Sequence, residues 1–354
     1  LEQHPTTILV APLNWGLGHA ARCIPIIREL KAFGFRPILA SDGQAFELLK
    51  KEFPDDLLLE LPSYQIEYAK EGRNFKWKML KNSPRMIEAV LEEHRVVKGW
   101  VKEYGLDGII SDNRLGVFSK KVPSVFMTHQ LNVLSGNTSW ITTQLHKAVI
   151  KKFTECWIPD FEKKPNLTGK LGHVSKTGLK LKYIGPLSRL EKQPLERKYD
   201  LMVILSGPEP QRGMLEEILR HELSGYPERV VFIRGVVESE QVLSQEGNIT
   251  FYNYMDSGQL QQAFNESRLV ICRSGYTTLM DLAKLGKKAF LIPTPGQTEQ
   301  EYLARRMKKE GMLPYASQEK FKISQLSEVP LYSGLPKKKT AVDWKKLFCL
   351  FEGK

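Results

Sequence analysis

Leu269-Val270-Ile271-Cys272-Arg273-Ser274-Gly275-Tyr276-Thr277-Thr278-Leu279-Met280-Asp281 joins an apolar, β-branched run to a helical pattern through Arg-Ser-Gly-Tyr. A strand that stops at such a turn and continues as a helix aims the backbone N–H groups of the helix start at whatever lies beyond the strand end. That arrangement seats a phosphate. Asp281 follows Ser274 by about two helical turns, where its carboxylate can share the helix face and meet a ribose attached to that phosphate. After one further strand, Pro293-Thr294-Pro295-Gly296-Gln297-Thr298-Glu299-Gln300-Glu301-Tyr302 places amides before and within the next helix. Gln297 and Gln300 are candidates to bond sugar hydroxyls.

The same unit recurs along the chain. Thr7 to Pro12 reads as a short buried strand, Leu13 to His19 as its turn, and a helix opens at Ala20, with Gly34 as its stop. Strands are predicted at 36–40, 57–61, 108–111 and 124–128, and a long helix from an N-cap at Ser83-Pro84 to near Gly105. The pattern restarts at Tyr199 to Leu205, turns through Ser206-Gly207-Pro208-Glu209-Pro210-Gln211-Arg212-Gly213 and enters a helix at Met214. Strands follow near 230–234, 249–252, 269–272 and 289–292. This alternation predicts an α/β chain of two doubly wound, Rossmann-like domains with parallel sheets. The proline-bounded, aperiodic stretch 186–198 is the natural join, which gives domains of 1–187 and 188–354. Ligands of such sheets bind beyond the carboxyl ends of the strands, so a cleft between the halves is expected to hold the chemistry.

Two readings of the first turn stay open. Gly16-x-Gly18-x-x-Ala21 after a strand, with Asp42 ending the next strand, satisfies the dinucleotide fingerprint and suits an NAD(P)-dependent oxidoreductase. Against it stands the second nucleotide seat at 273–281, for which a dehydrogenase has no use. In the other reading, His19 lies in the turn beside a helix N-terminus, which disfavours the imidazolium and leaves a neutral ring able to take a proton. Asp112, at a strand end, is a second candidate, as the base or as the orienter of His19. His129, Gln130 and Asn132 follow another strand as polar groups lining the site.

In Ser274-Gly275-x-x-Thr278, Asp281, the Gln297–Gln300 segment and Gly16 to His19, the chain resembles the MurG-like (family 28) glycosyltransferases. The resemblance implies a GT-B fold with an acceptor-binding first domain, a donor-binding second domain and a central cleft. It implies a hexosyltransferase moving sugar from a UDP-sugar to an acceptor hydroxyl, with inversion and by direct displacement. The acceptor side would hold Gly16, Gly18, His129 and Asn132, with His19 and Asp112 catalytic. The donor side would hold Ser206, Gly207, Arg212, Arg273, Ser274, Gly275, Thr278, Asp281, Gln297 and Gln300, with Met255 in the loop that recognises the uracil through main-chain groups. A lipid-linked or cell-envelope glycan is one acceptor that the resemblance suggests. Pro208 and Pro210 depart from the family's glycine-rich loop by removing two donors, and the family's His-Glu-Gln-Asn stretch lacks its acidic residue here. A UDP-sugar 2-epimerase of the same fold and a non-catalytic nucleotide-sugar-binding protein stay open as alternatives.

Composition narrows the class. The 354 residues carry a net charge of +12, with 42% hydrophobic and 26% charged residues, which suits a globular protein with an anionic partner. No Lys/Arg block interleaved with stacking aromatics stands at RNA-motif spacing, so nucleic acid is not expected. Cys23, Cys156, Cys272 and Cys349 are scattered and suggest neither a zinc site nor a redox pair. With no D-x-D and no G-x-x-x-x-G-K-[ST], no metal and no cofactor are expected, and the departing diphosphate would be stabilised by the helix start at Ser274-Gly275 with Arg273 or Arg212. The sequence shows neither a signal peptide nor a membrane span, from which a cytoplasmic location is expected. The basic, aromatic segment 70–81 reads as a loop that touches the inner face of a membrane peripherally. The amphipathic end, about 340–354, is expected to pack back on the first domain.

Overall fold

The computed structural model describes residues 5–64, 75–133, 139–174, 177–236, 238, 240–336 and 342–352, without the side chains of 75–84 and 139–141. The chain divides into two compact units between Ser188 and Arg189, and residues 342–352 belong to the first.

In the first unit the elements run β1 (Thr7–Pro12), α1 (Leu17–Ala32), β2 (Arg36–Ser41), α2 (Gly43–Glu52), β3 (Leu58–Glu60), α3 (Phe75–Glu103), β4 (Gly108–Asp112), β5 (Ser124–Met127), α4 (Ser139–Ile150), β6 (Glu155–Ile158) and β7 (Leu181–Tyr183). They form a seven-stranded sheet of order β3-β2-β1-β4-β5-β6-β7. All its pairings are parallel. β1 is buried along its whole length, as a strand covered on both faces must be. α1 begins at Leu17, before the expected Ala20, because Gly16 takes φ 74 as its N-cap and turns the chain at once; L side chains rarely adopt that conformation. α1 buries Ala20, Cys23, Ile24, Ile27 and Leu30 on the sheet, and also Arg22.

Two expectations fail here. α3 runs straight through Ser83-Pro84 instead of starting there, since one missing N–H is tolerated when the rest of a long helix continues on either side. Residues 75–81 are therefore helix and not loop, while 70–74 lie outside the described residues. α4, β6 and β7 carried too little periodicity to be read.

The second unit holds β8 (Tyr199–Ile204), α5 (Gln211–Glu222), β9 (Val230–Ile233), β10 (Leu243–Glu246), β11 (Ile249–Tyr252), α6 (Ser257–Glu266), β12 (Ser267–Cys272), α7 (Tyr276–Leu285), β13 (Lys288–Leu291) and α8 (Thr298–Lys309), followed by short 3-10 turns. Its six-stranded sheet has the order β10-β11-β9-β8-β12-β13. β10 is the antiparallel edge, hairpinned to β11 through Gly247 at φ 57; its exposed, polar sequence hid it. α5 starts at Gln211 rather than Met214. Leu201, Val203, Leu215, Leu219, Phe232, Ile271 and Phe290 form the core between sheet and helices, each worth about 1.5–3 kcal/mol of burial.

The last helix, α9 (Trp344–Phe348), packs within the first unit. Phe348 sets its ring 5.6 Å from those of Phe33 and Phe35, and Phe351 lies 6.3 Å from Trp157.

Candidate active site

In each sheet the strand order reverses direction at one point, and there the loops leave room beyond the strand ends. In the first unit that point lies between β1 and β4, where Pro12 pairs with Asp112, and Asp112 pairs in turn with Met127 of β5. The turn after β1 carries His19 in the first turn of α1, β4 ends on Asp112, and β5 leads to His129. Register alone therefore brings the three together.

Arg22 joins them. It lies about one turn after His19, on the same helix face, and is 1% exposed. Its Nε donates to Asp112 Oδ2 at 2.6 Å and its Nη2 to Asp112 Oδ1, a two-point pair. Nη1 lies 2.9 Å from His129 Nδ1, and Nη2 2.9 Å from His19 Nδ1. His19 Nδ1 stands 3.1 Å from Asp112 Oδ1, and its side chain is 14% exposed while that of Asp112 is fully buried. Burial opposes the Asp112 charge, but Arg22 and His19 outweigh it and hold the carboxyl down to about 2. Burial, helped by Arg22 and opposed by Asp112, lowers the His19 imidazole below 6.5. At neutral pH this favours a neutral imidazole beside an ionised carboxylate.

A second buried network continues from the next residues. Asn113, at φ 60, is a left-handed non-glycine residue that separates Asp112 from Arg114. Arg114 donates to Asp42 Oδ1 at 2.8 Å, to the Pro62 carbonyl at 2.6 Å and to Glu93 of α3. Glu93 also accepts from Tyr64 Oη at 2.6 Å, and burial raises its carboxyl. Asp42, further held by Asn14 at 3.2 Å, fixes the loops around β1 and is not a ribose ligand.

In the second unit the reversal lies between β8 and β12, where Ile204 pairs with Cys272. Ser206 and Gly207 follow β8; Gly207 takes φ 102, and a side chain there would come within 3.9 Å of Thr294 Oγ1. Gly275 is the N-cap of α7 and accepts the N–H of Leu279 at 3.1 Å. Gly275, Thr277, Thr278 and Asp281 are half-buried, on the side of α7 away from its core residues Leu279, Met280, Leu282 and Ala283.

Several expected ligands are engaged elsewhere. Arg273 is 1% exposed, and its guanidinium donates to the carbonyls of Gln211 at 2.7 Å and of Ile292 and Pro293 at 3.2 Å each. It staples the β13 loop to the start of α5 rather than facing a diphosphate. Arg212 is paired with Glu209 and Glu216 and donates to the Arg234 carbonyl at 3.0 Å, so its charge is already compensated. Ser274 is buried, and its hydroxyl donates to the Gln300 carbonyl at 2.8 Å. Gln300 accepts from Thr294 N–H at 2.9 Å and donates to Gln297 Oε1 at 2.6 Å, a brace for the 294–297 loop. Asp256 caps α6 through a capping box, and the Tyr254 carbonyl accepts from Gln241 at 2.7 Å, which leaves Met255 at the loop tip.

Similarity to known proteins bears on both of these seats. Residues 212–346 match the C-terminal domain of glycosyltransferase family 28. An uncharacterized glycosyltransferase of Methanopyrus kandleri is 23% identical over 341 residues, covering 90% of this chain and 92% of that one. A relative in Actinobacillus pleuropneumoniae, named as the UDP-N-acetylglucosamine–N-acetylmuramyl-(pentapeptide) pyrophosphoryl-undecaprenol N-acetylglucosamine transferase, is 23% identical over 81% of this chain and 78% of its own. Among solved structures, MurG of Acinetobacter baumannii aligns over 99% of both chains with a TM-score of 0.58 at 12% identity. SnogD of Streptomyces nogalater aligns over 98% of this chain and 100% of its own, with a TM-score of 0.61 at 15% identity. Residues 212–346 thus resemble the C-terminal domain of family 28 glycosyltransferases, and the chain is similar to MurG-type transferases over most of its length. Its fold is GT-B. None of the proteins just named is an epimerase or an oxidoreductase.

In this transferase the structure gathers His19, Asp112 and His129 into one cluster, with Gly16 supplying the turn and Gly18 beginning α1 beside His19. Asn132 stands apart, its amide donating to the Lys170 carbonyl at 2.7 Å. Arg22 was not expected from the sequence. Its one signal was a charged residue three positions after His19 on the face of α1 that otherwise buries Cys23 and Ile24. Among the described residues no helix is long and apolar enough to cross a membrane.

Proposed function

We propose that this transferase moves a sugar from a UDP-sugar to an acceptor hydroxyl with inversion at the anomeric carbon and without a metal ion. The observation that carries the reading is His19 Nδ1 held 3.1 Å from the buried carboxylate of Asp112 at the first sheet's reversal point, where burial lowers the imidazole and favours its neutral form. With Arg22 Nη2 and His19 Nδ1–H both donating to Asp112 Oδ1, the bare Nε2 takes the hydroxyl proton as the acceptor oxygen bonds to the anomeric carbon. The bond from that carbon to the diphosphate oxygen breaks on the opposite side, and its electron pair leaves with UDP. Asp112 is the orienter and not the base: its carboxyl is buried, locked by Arg22 and held too low to take the proton.

On the donor side, the positive end of α7 at Gly275 suits the diphosphate, Thr278 and Asp281 share the helix face that a ribose would meet, and the Ser206-Gly207 turn allows close backbone approach. Met255 at its loop tip is the base contact, and Gln297 the sugar contact. The family 28 match over residues 212–346 supports this assignment. The names of the bacterial relatives, which specify a UDP-sugar and an undecaprenol-linked acceptor, favour a lipid-linked or cell-envelope glycan. Ile87 and Leu91, one turn apart on α3 and 59% and 62% exposed, favour peripheral contact with the cytoplasmic face of a membrane.

Replacing His19 by Ala tests the reading. Turnover should fall about 100 to 10,000-fold while UDP affinity, measured by calorimetry, stays unaltered. A folded His19→Ala enzyme with near-normal turnover sinks the proposal.

A further inference from the structure

Arg22 is the buried hub of the first unit's cluster, and a guanidinium only donates and keeps its charge at every working pH. Three groups face His19: Asp112 from the end of β4, Arg22 from its own helix and His129 from beyond β5. Cys23 Sγ approaches the far oxygen of Asp112 at 3.8 Å, and burial keeps that thiol protonated. We propose that Arg22 is a positioning residue of the transfer reaction: by locking Asp112 in a two-point pair and setting its own positive charge 2.9 Å from His19 Nδ1, it decides which protonation state of His19 meets the acceptor hydroxyl. The inference rests on His19 being the base.

Charge is the reason. Arg22 and Asp112 together are neutral, so a proton added to His19 makes the cluster a buried cation, which burial disfavours. Without the guanidinium, the same proton would neutralise a buried carboxylate, and the imidazole would hold it. A bare His–Asp pair at this depth would hold its proton to higher pH and offer less neutral imidazole to the acceptor hydroxyl. Arg22 therefore keeps the full orienting value of Asp112, its hydrogen bond to Nδ1, while cancelling most of its pull on the proton. The two-point geometry, with Nε on one oxygen and Nη2 on the other, also stops the carboxylate from rotating away from His19.

Histidine-selective 15N labelling of the full chain reads the His19 midpoint directly, with the signal assigned by its loss in His19→Gln. Arg22→Met should raise that midpoint by about one pH unit, a ten-fold tighter grip on the proton, and carry the acid limb of kcat/KM upward with it. Arg22→Lys, which keeps the charge, should restore the wild-type midpoint to within about half a unit. Equal midpoints in wild type and Arg22→Met overturn the proposal. Because an unpaired buried carboxylate can unfold the chain, the comparison is repeated with Asp112→Asn. That change alone should lower the His19 midpoint, and adding Arg22→Met should raise it again by about one unit; identical midpoints in these two variants overturn the proposal equally. A His19→Ala enzyme of normal turnover removes the base reading beneath it, whereas an inactive His19→Ala enzyme with unmoved midpoints removes the proposal alone.

Discussion

Replacing Arg273 by Met should unfold the second unit more readily without touching nucleotide recognition directly. The guanidinium makes three hydrogen bonds, at 2.7, 3.2 and 3.2 Å, to the carbonyls of Gln211, Pro293 and Ile292. At about 1.5–3 kcal/mol for each bond from a charged group, they contribute about 4.5–9 kcal/mol. Burial opposes them, pushing Arg273 down from 12.5 to about 10, a cost of about 3 kcal/mol at 1.36 kcal/mol per pH unit. Met fills much of the same volume, so the net loss should be about 2–6 kcal/mol. Since the native value lies below the unfolded one, the burial cost is present in full below pH 10 and relieved only above it; urea denaturation at about pH 7.5 therefore measures the whole effect. Calorimetric titration of UDP into the folded variant completes the assay. A variant that resists urea like the wild type but no longer binds UDP would refute the reasoning and return Arg273 to the diphosphate.

On the donor seat, UDP and not NAD should raise the melting temperature, and Asp281→Ala should weaken UDP binding by roughly 1.5–3 kcal/mol through lost ribose hydrogen bonds; unchanged affinity removes Asp281 from the site. Transfer activity should survive EDTA, and complete loss reversed by magnesium or manganese would contradict a diphosphate stabilised by helix dipoles alone.

What the sequence determined was the architecture and the two loops that matter. Apolar runs closed by glycine turns can only be strands feeding helices, and that alternation, set by local sterics and burial, fixes two doubly wound units whatever the ligand. Gly16 marked a helix start because the strand-to-helix turn takes φ 74 there, a conformation L side chains rarely adopt. Local pattern could not say which polar side chains face a ligand, since that depends on partners far away in sequence. Arg273 and Gln300 read as ligands in the sequence, and only the fold shows the carbonyls and amides of neighbouring loops that they bond. Asp42 looked like a ribose ligand until Arg114, 72 positions on, met it. Asp112 reads in sequence as base or orienter, and its pairing with Arg22, 90 positions earlier, is what favours the orienter proposed above. A charged group inside a protein is defined by the counter-charge that burial forces it to find, and only the parallel register of β1, β4 and β5 places that counter-charge beside His19.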